Sequence, residues 1–164
     1  MNHIKTFEEL TIKEIDYPYT KEEYHKIIYY NFNIFGYSFL VTFSKSNKPG
    51  IKTVYRNFET EEKGFGTLNI SNTSALKIYS IITKITSDYI KEYNPDLIEI
   101  LHTTNSRYKL NKLFLKKTDI DEYESLGLYY KNIDKYKTII LKTSLYDDII
   151  NLYKSDSIGI EKIK

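Results

Sequence analysis

The chain has 164 residues, of which 41% are hydrophobic and 28% charged, with a net charge of +2 and no cysteine. That length suits one domain with a sizeable core, and the near-balanced charge sets up no global field toward nucleic acid or an anionic membrane. The lack of cysteine excludes disulfides, zinc-thiolate sites and thiol nucleophiles.

The opening stretch, Met1 to Tyr17, lacks the uninterrupted apolar core of a signal peptide. No segment approaches the roughly 18 apolar residues of a membrane span. The expectation is a soluble protein, intracellular or carried inside something made intracellularly. The seventeen tyrosines, with no tryptophan, are the oddest feature. AT-rich codons favour Tyr, Ile, Lys and Asn together; an interaction surface is the other source of such enrichment.

Residues 1–25 read as an N-terminal arm, in which the capping-box pattern Thr20-Lys21-Glu22-Glu23 starts a short helix. Lys26 to Phe35, rich in β-branched and aromatic residues, reads as a strand, and Gly36 as a turn. Tyr37 to Lys45 follows as a strand with Phe39, Val41 and Phe43 on one face. Asn47, Lys48, Pro49 and Gly50 supply turn chemistry, and Ile51 to Phe58 is a third strand. After a charged tip, Gly64 to Ile70 returns as a further strand, and its Gly64 and Gly66 belong to a hairpin rather than a phosphate loop.

A long helix then starts with Thr73 or Ser74 as N-cap. Its apolar positions Ala75, Ile78, Ile82, Ile85 and Tyr89 keep the three-four spacing of a core-facing stripe. Pro95 ends it, and Leu97, Ile98, Ile100 and Leu101 form a central strand covered on both faces. A helix between two short strands is a right-handed βαβ crossover, with Gly64 to Ile70 as the expected first strand. Ser106 to Lys117 is a second helix with Leu110, Leu113 and Phe114 inward. An acidic linker leads to a closing hairpin ending at Thr143. Ser144 starts a last helix with Asp147 as capping acid, and the apolar Ile158, Ile160 and Ile163 make residues 144–164 a helix and docking tail. The domain proper is 26–143.

Chemistry-bearing clusters are sparse. His3, His25 and His102 lack ligand spacing, so no metal site is expected. Asp119, Asp121, Glu122 and Glu124 lack the central glycine of a calcium loop. Glu99 reads as a structural carboxylate and His102 as a hydrogen-bonded histidine at the strand end. Arg107, Lys112 and Lys116 on the second helix are the residues that would meet nucleic-acid phosphates.

The order of elements resembles that of the GNAT N-acetyltransferase fold, and most nearly a group of bacteriophage-encoded GNAT-like proteins. The resemblance spans roughly Phe39 to Thr143. It is carried by Ile70 to Ile82 (ISNTSALKIYSII), by Asn94-Pro95-Asp96-Leu97-Ile98 and by Ser106-Arg107-Tyr108-Lys109-Leu110. It implies an α/β (α+β) mixed sheet: an antiparallel meander, a β-α-β crossover, a short helix and a closing hairpin.

It also places an acyl-CoA pyrophosphate loop at Ser71, Asn72, Thr73, Ser74 and Ala75, with Asn105 nearby, presenting backbone N–H groups at a helix N-terminus. The family's glycines and basic residue are absent from that loop, no glutamate stands ready as a base, and Asn111 occupies the position of the family's tyrosine acid. No catalytic residue is therefore assigned. The expected protein is a degenerate, non-catalytic GNAT-like binding or structural module, needing no cofactor and contacting other proteins. Those partners are virion components or further copies of the chain, in the host cytoplasm or a phage virion. An acetyl-CoA-dependent N-acetyltransferase and a nucleic-acid-binding protein are the alternatives.

Overall fold

The computed structural model describes residues 18–60 and 72–164, with side chains at all of these except 72 and 73. Strands β1 (Thr20–Tyr24), β2 (Ile27–Ile34), β3 (Tyr37–Ser46) and β4 (Thr53–Thr60) form an antiparallel meander. Helix α1 (Asn72–Tyr93), β5 (Leu97–His102) and α2 (Asn105–Lys116) follow, then β6 (Tyr123–Tyr130) and β7 (Lys135–Lys142). A 3-10 turn, α3 (Tyr146–Ile150) and β8 (Ile158–Lys162) complete the chain.

The result is a mixed α+β fold with an eight-stranded sheet in the order β1-β2-β3-β4-β5-β7-β6-β8. Among the described residues the one parallel pair is β4 with β5, and the other pairings are antiparallel.

Period-two alternation in β5 and β7 divides the core between the two faces of the sheet. Ile98, Ile100 and Ile140 join the face covered by α1 and α2, where Ile78, Ile82 and Ile85 of α1 are fully buried. Leu97, Ile139 and Leu141 point the other way, to Ile149 and Ile150 of α3 and to Tyr153. Much of the tyrosine surplus is spent inside: Tyr30, Tyr79, Tyr89, Tyr108 and Tyr153 are all buried, and the Tyr89 ring stacks on Phe43 at 3.9 Å. The β-branched α1 is a poor intrinsic helix former and is held by this burial. It ends where Asn94 takes a left-handed φ of 48° ahead of Pro95.

Several expectations are corrected. Thr20–Tyr24 is a strand, not a helix start, because it pairs along its whole length with β2. The two strands meet through a two-residue turn in which His25 and Lys26 both have positive φ, the conformation that matches hairpin twist. The crossover's first strand is β4. Both edges of β5 are taken, by β4 and β7; the strand expected at residues 64–70 lies outside the described residues.

Leu101 is 56% exposed and Leu113 45% exposed, while Leu115 is buried instead. The inward face of α2 is Tyr108, Asn111, Phe114 and Leu115. Ser144 caps nothing: it sits within the 3-10 turn, and α3 has no side-chain cap. The apolar tail docks on this domain as β8, antiparallel to β6.

Candidate functional site

Pairing between β4 and β5 stops at Arg56 and Ile100. Beyond that point β4 stays with β3 as far as Thr60, and β5 stays with β7 as far as His102. The sheet therefore opens at the carboxyl ends of the parallel pair β4 and β5, the place where open α/β sheets receive ligands. The opening is a cavity of about 70 Å³ lined by Arg56 and Phe58 of β4, Tyr79 and Ile82 of α1, Ile100 and His102 of β5, and Arg107 of α2.

The cavity wall is polar because Arg56 occupies an inward register. Val54 and Arg56 are both buried on the helix-covered face of β4. The guanidinium Nη1 donates to Thr86 Oγ1 at 3.1 Å and Nη2 to Asn111 Oδ1 at 3.0 Å. Asn111 Nδ2 donates onward to Thr138 Oγ1 at 2.8 Å, and His102 Nε2 lies 3.0 Å from the same oxygen. Burial, with Arg56 and Arg107 nearby, pushes His102 down to about 3, so the ring is neutral and its Nε2 can accept the Thr138 hydroxyl proton. Burial also lowers Arg56, to about 10, which leaves it charged at neutral pH.

The residues singled out from sequence distribute as follows. Asn111 has no solvent exposure and both its amide atoms are bonded, so it belongs to the polar chain. Tyr108 turns away from the cleft: its hydroxyl donates to Glu161 Oε1 of β8 at 2.7 Å. Hydrogen bonds from Lys112 and Tyr108 hold the Glu161 carboxyl below its ordinary value.

Glu99 lies on the opposite face of the sheet, with Lys48 Nζ at 2.8 Å and Lys137 Nζ at 3.0 Å. Burial alone would raise its carboxyl, but the two lysines together bring it below the usual value.

Of the acyl-CoA loop residues, Ser71 lies outside the described residues, while Asn72, Thr73, Ser74 and Ala75 form the first turn of α1. Asn105 opens α2 and faces a separate groove toward Tyr129, Tyr136 and Ile160. Arg107, Lys112 and Lys116 do not share one surface. Arg107 lines the cleft, whereas Lys112 and Lys116 line a groove of about 430 Å³ between α2 and β8. No group of acidic or histidine side chains suited to a metal ion occurs among the described residues, and no helix among them is long and apolar enough to cross a membrane.

The chain matches no protein-family model, no curated protein and no solved structure. Its chemistry must be read from its own residues. Those the sequence reading passed over are Arg56, Thr86 and Thr138. Arg56 had a signal: a charged residue in phase with Val54 and Phe58 on a strand with an apolar face. Thr86 and Thr138 had none, since their role exists only once α1 and β7 are brought to β4 and β5.

Proposed function

We propose that this chain is a GNAT-like binding or structural module that does not transfer acetyl groups. The strand order, with one parallel pair joined by a helical crossover and opening beyond Arg56, supports the GNAT-like reading. The observation that carries the loss of transfer is the occupancy of the cleft. By the resemblance Asn111 stands where an acid would serve, both its amide atoms are engaged, and the cavity beyond Arg56 is about 70 Å³. General acid-base catalysis needs a group of suitable pKa within reach of the reacting proton, and ligand pockets of drug size occupy roughly 300–1,000 Å³. A virion or assembly component is the concrete form of this reading, with exposed Tyr24, Tyr55 and Tyr129 as contact residues.

Calorimetric titration with acetyl-CoA tests it. The expected result is no heat at concentrations up to the order of millimolar, together with no thiol release in the presence of amines. Micromolar affinity would instead favour the acetyl-CoA-dependent transferase.

A nucleic-acid reading has one observation in its favour: Lys109, Lys112, Lys116 and Lys162 line the groove between α2 and β8. A DNA or RNA affinity that falls steeply with salt would promote it.

A further inference from the structure

Among the described residues, the positive charge in the cleft between β4 and β5 has no acidic partner. Arg56 is 6% exposed. An arginine has five N–H donors, and the two bonds found here both end on neutral oxygens, of Thr86 and Asn111. Nε is buried with no acceptor among the described residues.

Among the described residues no carboxylate reaches the guanidinium. Glu99, one residue before the Ile100 that pairs with Arg56, is on the other face and already holds two lysines. A second cation, Arg107, lines the same cavity, and the remaining titratable groups among its described lining residues are the neutral His102 and Tyr79. A guanidinium stripped of water without a counter-ion is costly to fold around, and the same dry setting strengthens its attraction for any anion that enters.

We propose that this cleft is a binding site for a small oxyanion, a carboxylate or a phosphate, paired with Arg56 and faced by Arg107. The planar fork of an arginine matches both groups, and a cavity of about 70 Å³ admits the anionic end of a ligand rather than a whole cofactor. The site goes beyond the non-catalytic reading and does not depend on it. Acetyl-CoA binding would overturn that reading and leave the oxyanion site standing, whereas an absent oxyanion response removes the site alone.

The test is thermal unfolding of the full chain at constant ionic strength, exchanging chloride for acetate in one series and for inorganic phosphate in another. One of the two anions should raise Tm in proportion to the logarithm of its concentration once above Kd, by about 5 °C or more at ~100-fold excess over its Kd, and the series that responds identifies the oxyanion. Arg56→Met should lose the response, and Arg107→Gln should weaken it several-fold. A wild-type Tm no higher in either anion than in chloride, or an equal rise in Arg56→Met, overturns the proposal. If Arg56→Met does not fold, the wild-type arginine Nε–H resonances decide: one protected signal shifts saturably with the bound anion, and a set of signals that stays in place rejects the site.

Discussion

His102 and Glu99 stand on one strand and face opposite electrostatic problems. Burial keeps His102 neutral, with a folded value of about 3 against an ordinary 6.5. The unfolded chain takes up a proton below about 6.5 that the folded chain refuses until about 3, so stability falls as pH drops through that window. The expected loss from this group is about 3 kcal/mol between pH 7 and 4. Urea unfolding should find it much reduced in His102→Asn.

The contribution of Glu99 has the same sign in a lower window. Its folded value lies below 4.5, so its ion pairs stabilise at neutral pH and are lost only as pH falls through that depressed value. Glu99→Gln should cost about 1–3 kcal/mol, less than a fully buried pair, because Lys48 and Lys137 keep 26% and 16% exposure. Gly127 is a spatial requirement: a Cβ there would collide with the Tyr108 hydroxyl and lie 3.0 Å from Glu161. Gly127→Ala should therefore break the Tyr108–Glu161 bond and loosen β8, seen as faster amide exchange across the β6–β8 ladder.

At the scale of elements, α1 was legible because its apolar stripe repeats at helical spacing, and Ile78, Ile82 and Ile85 are buried as that spacing requires. Ile82→Ala should cost about 2–5 kcal/mol by leaving a cavity, whereas Leu113→Ala, at 45% exposure, should stay within about 0.5 kcal/mol of wild type. The face of α2 was misjudged because Leu113 and Leu115 are equally apolar, and only docking against the sheet decides which is covered.

The helix expected at Thr20 failed for a related reason. A capping pattern is local chemistry, and a five-residue ladder with β2 outweighs it. β8 covers the outer edge of β6, and its apolar sequence announced docking without saying where. Deleting residues 155–164 should expose that edge to intermolecular pairing, lowering the urea midpoint and producing higher oligomers in size-exclusion chromatography.

For the whole molecule, the meander, the crossover helix, the central strand and the closing hairpin follow from periodicity and turn residues, which are properties of neighbouring residues in the chain. The identity of the parallel pair does not. Which strand lies beside β5 depends on both of its edges, and β4 and β7 take them, which moves the crossover's origin upstream of residues 64–70.

The cleft follows the same rule. Arg56 in an inward strand register was visible in the sequence, but its meaning depends on Thr86, Asn111, Thr138 and His102, drawn from four further elements. Local sequence determined the long helix, the central strand and the closing hairpin, because hydrophobic spacing acts over a few residues. The edge strands β1 and β8 were decided by the neighbours they pair with. Tertiary structure alone decided which polar groups meet, because a buried charge is defined by what surrounds it, and its surroundings come from across the chain.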